Sequence, residues 1–260
     1  MSSKDSVAKT ILVAGALCIV CSILVSTAAV SLKPVQERNK SLDKKKNILM
    51  AAGLFTPGDD IDAIFSEKVR PKLVELSTGE YSDAFSPEEY DESKAIKDDS
   101  LRVEIPPEKD IAGIRIRSKY AVVYEVMDGA SLSQVVLPVR GKGLWSTLYG
   151  FISIKPDANT VAGLGFYQHG ETPGLGGEVD NPKWKQLWKG KKIHDDDWNI
   201  EIKVIKGSVV ASRPEAVYEV DGLSGATITS RGVSSLVRYW MSDEAFGPYL
   251  NKLKERGGDE

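Results

Sequence analysis

Thr10 to Leu32 is a run of 23 residues without a single charge, and no other feature restricts this chain as much. As a helix rising 1.5 Å per residue, the run would reach about 35 Å, enough to cross the hydrocarbon core of a bilayer. The apolar core of a cleaved secretion signal spans only about 7–15 residues. This run is longer and ends at Lys33-Pro34, so an uncleaved anchor is expected. Leu17 and Val20 precede Cys18 and Cys21, where a lipid-acceptor cysteine would need small neighbours. Inside an apolar run the two thiols read as small apolar side chains rather than as a redox or metal pair. They are the only cysteines, so the rest of the chain carries no disulfide framework.

Charge separates the two parts of the chain. Residues 1–46 hold eight basic and three acidic side chains, which leaves 26 basic and 34 acidic on the remainder, a net −8. An acidic body without a cationic stripe excludes nucleic acid as a partner. With 42% hydrophobic and 27% charged residues, the body has the composition of a chain that packs a core. Lys4 and Lys9 precede the apolar run, whereas Lys33, Arg38, Lys40 and Lys44 to Lys46 follow it. That count favours a cytoplasmic body, but long domains are translocated largely regardless of such charges, so the side stays open.

The organisation expected is a short tail over 1–9, a transmembrane helix over 10–32, a helical connector over 33–56 and a soluble domain over 57–260. Leu42, Ile48, Leu49, Ala52 and Leu54 suit a helix that Thr56-Pro57-Gly58 would stop. Asp59 or Asp60 can cap a second helix, with Ile61, Ile64, Phe65, Val69 and Leu73 at helical spacing and Pro71 interrupting it. Tyr120–Val126, Ser133–Val139, Tyr149–Ile154, Val161–Tyr167 and Ile200–Ile205 are short segments rich in β-branched and aromatic residues, bounded by turn formers, and read as strands. Pro182–Trp188 and Ser230–Met241 read as helices. Strands and helices alternate without βαβ regularity, so the fold class is α+β: a single N-terminal transmembrane helix, then a twisted, mainly antiparallel sheet with covering helices.

The chemistry concentrates in Asp221-Gly-Leu-Ser-Gly-Ala-Thr-Ile-Thr-Ser230. Val233, Leu236, Val237 and Trp240 follow at i, i+3, i+4 and i+7, so a loop of small residues feeds the start of an amphipathic helix. Free N–H groups and the helix dipole favour an anion there, and Gly225 and Ala226 leave room for a phosphate. Equally, Ser224, Thr227, Thr229 or Ser230 can serve simply as the helix cap.

Asp221 to Ser230 closely resembles the flavin-attachment motif of the NqrC family, the FMN-bearing subunits of the Na+-translocating NADH:quinone oxidoreductase. Gly141-Lys-Gly-Leu-Trp-Ser146, Gly170-Glu-Thr-Pro-Gly-Leu-Gly-Gly-Glu178 and Phe246-Gly-Pro-Tyr-Leu250 are similar to the same family. The resemblance implies FMN joined through its phosphate to Thr227, with Ser224, Gly225 and Ala226 at the preceding motif positions and Asp221 as the acidic residue read by a flavin transferase. It further implies a bacterial inner-membrane protein with a periplasmic body and no complete active site of its own. Such a protein would relay electrons inside a sodium-pumping complex whose other subunits supply the remaining carriers, and membrane lipid and the transferase would be its further partners. The Rnf-type ferredoxin:NAD+ oxidoreductase shares this module and is the nearer alternative; an anchored binding module without a redox role is the more distant one.

A phosphate tether leaves the flavin ring unmodified, so contacts to the ring must tune it. Glycines in the Gly170–Glu178 loop allow close backbone approach. Thr172 and the backbone of Leu175 and Gly176 are candidates for the ring's polar edge, Leu175 and Trp145 for its faces, and Glu171 for a charge near it. On composition alone this loop is an ordinary tight turn, Trp145 a core residue and Glu171 a hydrated anion. His169 reads as structural and His194 as solvated. Asp195 to Asp197 lacks the alternating ligands of a calcium loop, so no metal is expected. Without Gly-x-Gly-x-x-Gly between a strand and a helix, an NADH site is not expected here either.

Overall fold

Helix α1 runs unbroken from Val7 to Ala51, with Pro34 inside it. The computed structural model describes residues 7–257 and divides into two units, one up to Lys44 and one from Lys45 onward. In the first, α1 is long and apolar enough to cross a membrane, and its most apolar stretch is unburied.

The second unit begins with the end of α1. Gly53, at φ +69, terminates the helix: Leu54 N–H donates to the Leu49 carbonyl at 2.8 Å and Gly53 N–H to that of Met50 at 3.1 Å. This paired ending needs a left-handed residue, which glycine supplies without steric cost. The stop therefore falls ahead of Thr56-Pro57-Gly58, where composition pointed.

Asp60 caps α2 (Ile61–Lys68) by accepting from Ala63 N–H at 3.1 Å. The apolar series expected to extend this helix to Leu73 instead passes directly into β1 (Val69–Glu75). Pro71 lies opposite Tyr124 of the neighbouring strand. On its other side β2 (Glu80–Tyr81) pairs only with Val74 and Glu75, so at an uncovered edge the missing N–H leaves no ladder bond unmade.

After the short helix α3 (Glu92–Ala95) and the small antiparallel pair β3 (Arg102–Glu104) and β4 (Ile116–Ser118), four long strands follow: β5 (Tyr120–Asp128), β6 (Ser131–Lys142), β7 (Thr147–Ile154) and β8 (Val161–Gln168). With β1 and β2 they form a six-stranded antiparallel sheet in the order β2-β1-β5-β6-β7-β8. Side chains alternate between faces, and each face has its own core. Val122, Tyr124, Val136 and Phe151 pack with Leu49, Ile48 and Phe65 of α1 and α2. Val123, Val135, Leu137, Leu148 and Ile152 pack with the helices that follow the sheet. Those are α4 (Pro182–Gln186), α5 (Thr227–Met241) and α6 (Gly247–Gly257).

Of Ile200–Ile205, only Lys203–Val204 forms a strand, β9, and it pairs in parallel with β10 (Glu219–Val220), away from the main sheet. The α5 side chain Ser234 satisfies the Val204 N–H at 2.8 Å, a position a neighbouring strand would otherwise fill.

Candidate functional site

Three segments meet at one end of the main sheet: the β6–β7 turn, the loop after β8, and the start of α5. Close packing brings α5 onto β6. A Cβ on Gly232 would lie 2.4 Å from the Lys142 carbonyl oxygen, and Trp240 Nε1 donates to the Arg140 carbonyl at 2.7 Å.

The start of α5 lacks a side-chain cap. Its N-cap residue is Ala226, with no side-chain hydrogen bond. The hydroxyls that sequence offered as caps are used elsewhere: Ser230 Oγ accepts from Leu223 N–H at 3.0 Å, and Thr229 Oγ1 donates to Glu171 Oε2 at 2.5 Å. Thr227, the first residue of the helix, is exposed, as are Ser224 and Gly225, while Ala226 is buried. Upstream, Asp221 Oδ1 accepts from Val209 N–H at 2.8 Å, and the Asp221 carbonyl accepts from Trp184 Nε1 at 2.8 Å, which fixes the entry to the loop. An uncapped helix end with an accessible hydroxyl in its first turn favours a bound anion through unsatisfied N–H groups and the helix dipole.

Glu171 is 5% exposed and does not behave as a hydrated anion. Oε1 accepts from the N–H groups of Trp145 at 2.9 Å and Ser146 at 3.3 Å; Oε2 accepts from Leu144 N–H at 3.2 Å as well as from Thr229. Burial works to raise its pKa, but the Thr229 hydroxyl and the N–H groups of Trp145, Leu144 and Ser146 outweigh it and hold the carboxyl below the usual value. The loop is closed further by Gly170 N–H donating to Ser146 Oγ at 2.6 Å. His169 is held from both sides: its Nδ1 accepts from Glu171 N–H at 3.2 Å, and its Nε2 lies 2.8 Å from Asp180 Oδ2.

Trp145 is 67% exposed and so outside the core, and Thr172 and Leu175 are exposed too. Gly176 is buried at the junction: a methyl there would lie 2.6 Å from Thr229 Oγ1 and 2.8 Å from Glu171 Oε2. Leu175 reaches the loop before α5, since a Cβ on Gly225 would lie 2.9 Å from its Cδ2. Leu144 and Ile228 are exposed apolar residues beside these, and sequence reasoning missed both. Ile228 had a readable signal, because it falls off the buried face set by Val233, Leu236, Val237 and Trp240. Exposed apolar side chains on the same segments as an anion-ready helix end suit a ligand that carries both an anionic group and an apolar surface.

His194 lies away from this site and is 4% exposed rather than solvated. Asn159 Oδ1 accepts from the N–H groups of Ile193 and His194 and draws the segment inward. No group of three or more potential metal ligands occurs among the described residues.

The FMN-binding domain family matches residues 143–242, which begin at the turn bonded to Glu171 and end just after α5. The NqrC protein of the Na(+)-translocating NADH-quinone reductase from Pseudomonas aeruginosa is 48% identical over 258 residues, covering 98% of this chain and 99% of that one. Its Vibrio alginolyticus counterpart is 43% identical over 254 residues, 98% of each. Among solved structures, Shewanella oneidensis NqrC matches with a TM-score of 0.77 at 38% identity, covering 84% of this chain and 99% of that one. The corresponding protein from Parabacteroides distasonis matches with a TM-score of 0.65 at 28% identity, covering 84% and 96%. With its fold, its FMN-binding domain and identity of this extent, the chain belongs to the NqrC family of Na(+)-translocating NADH-quinone reductase subunits.

Proposed function

We propose that this chain is a membrane-anchored electron carrier whose FMN is esterified through its phosphate to Thr227 Oγ1. The observation that carries the reading is the contrast among hydroxyls at the start of α5: Thr229 and Ser230 are buried and bonded, while Thr227 is exposed at an uncapped helix end. Ser224, Gly225 and Ala226 leave space for the phosphate; Trp145 and Leu175 offer apolar surface to the ring, and Thr172 and the Gly176 backbone offer polar contacts. The bound flavin supplies the electron-transfer chemistry, and the protein supplies placement and surroundings.

In this reading α1 anchors the chain in the bacterial inner membrane with the body on the periplasmic side. A flavin transferase installs the cofactor, guided by the segment from Asp221 to Thr227. The other subunits of the complex deliver and remove electrons and couple their flow to sodium movement. The deciding experiment is mass spectrometry of the denatured protein made alongside its transferase. The tryptic peptide of residues 207–231 should gain the mass of FMN less water, with fragmentation placing it on Thr227. An unmodified peptide in correctly matured protein would end the proposal.

A further inference from the structure

The Glu171 carboxylate joins segments far apart in sequence, with Trp145 26 and Thr229 58 residues away. Removing a carboxylate from water is costly unless donors fill its lone pairs, and here four do so. The two oxygens divide the task. Oε1 holds only the β6–β7 turn, through Trp145 and Ser146. Oε2 bridges, taking Leu144 N–H from the turn and the Thr229 hydroxyl from α5. The residue before Glu171 returns the contact through Ser146 Oγ. The exposed Trp145 side chain is thus carried by a backbone N–H fixed to the same anion that fixes the first turn of α5, where Thr227 lies.

We propose that Glu171 is a positioning residue for the flavin: it sits beneath the ring's surroundings, and by tying the Leu144–Ser146 turn to Thr229 it keeps Trp145, Leu175 and Thr227 in one arrangement. The inference rests on attachment at Thr227 and adds what holds the ring's environment in place. A carboxylate so buried, with both oxygens engaged, acts through these neighbours and not by touching the cofactor.

The test uses the full chain in detergent, made with and without its flavin transferase, as wild type, Glu171→Gln, Thr229→Val and Thr229→Ser. Thr229→Val is nearly isosteric and deletes one of the four bonds, so it reports even where Glu171→Gln folds poorly. In labelled protein, the expected result is FMN on Thr227 throughout. Glu171→Gln and Thr229→Val should show stronger iodide quenching of flavin emission and a shifted reduction potential, with Thr229→Ser restoring both. In unlabelled protein, hydrogen exchange at Leu144, Trp145 and Ser146 should quicken about tenfold in Glu171→Gln, as befits loss of charge-assisted bonds. Labelled variants with wild-type quenching and potential overturn the inference, and so does unchanged exchange in the unlabelled chain. Wild-type protein without FMN on Thr227 overturns the attachment reading instead, and the exchange experiment remains decisive for the tie itself.

Discussion

Thr227 and Thr229 are two residues apart on α5 and face opposite conditions: Thr227 is exposed, whereas Thr229 is fully buried with its hydroxyl 2.5 Å from Glu171. A single turn of helix therefore leaves one threonine exposed and withdraws the other. Thr227→Ala should abolish the flavin label while shifting unfolding free energy by no more than about 0.5 kcal/mol, because only an exposed side chain is lost. Mass spectrometry and denaturant unfolding read the two effects. A label persisting on Thr229 would contradict this geometry.

Gly232 sets how closely α5 approaches β6. Gly232→Ala brings a methyl to within 2.4 Å of the Lys142 backbone carbonyl, which no side-chain rotation can relieve. The expected cost is about 1–3 kcal/mol of stability, seen as a lower denaturant midpoint, together with reduced flavin occupancy as the start of α5 shifts. Wild-type values for both would mean that the helix has room to spare.

The imidazole of His194 stacks on Trp198 with ring centroids 4.3 Å apart, and Lys254 of α6 lies 3.6 Å from the Trp198 ring centroid. Burial, aided by the Lys254 ammonium and opposed by Asp195, lowers the His194 pKa to about 4. An unfolded histidine titrates near its ordinary value of about 6.5. Between these values the unfolded chain binds more protons, so this contribution is complete above about pH 6.5 and is lost as pH falls toward 4. Urea titrations should show stability falling by up to about 2 kcal/mol across that window. In His194→Phe the slope should flatten, and an unchanged slope would assign it to carboxylates.

The side of the membrane is open to a direct test. Asp196→Cys places a thiol on an exposed turn of the body, whereas Cys18 and Cys21 lie within the apolar stretch of α1. A periplasmic body should react with a membrane-impermeant maleimide in intact spheroplasts. Labelling only after lysis would reverse the orientation and restore the side favoured by the count of basic residues after the apolar run.

Much of the sheet was legible because β5 to β8 carry runs of β-branched and aromatic residues whose signal is local, and α5 was legible from the spacing of Val233, Leu236, Val237 and Trp240. What escaped depends on distant partners. No pattern near Glu171 tells that donors 25 residues and more away will bury it, and none near His194 tells that Asn159 will draw it inside. Trp145 read as core by chemical type, yet its turn leaves the indole outside. The helix cap misled in the same way: four hydroxyl residues were plausible caps by local rules, but tertiary contacts claimed Thr229 and Ser230 and left Ala226 in the position. Pro71 fitted a broken helix until β5 supplied a partner strand.

The exposure of Thr227 bears on the order of biosynthesis. Thr227 belongs to neither core: one packs α5 through Val233, Leu236 and Val237, and the other lies on the opposite face of the sheet with α1 and α2, so the polypeptide can reach its finished shape before any cofactor arrives. On the proposed attachment at Thr227, modification is a final step on a completed surface, and a cell short of flavin would accumulate intact, colourless protein instead of misfolded debris.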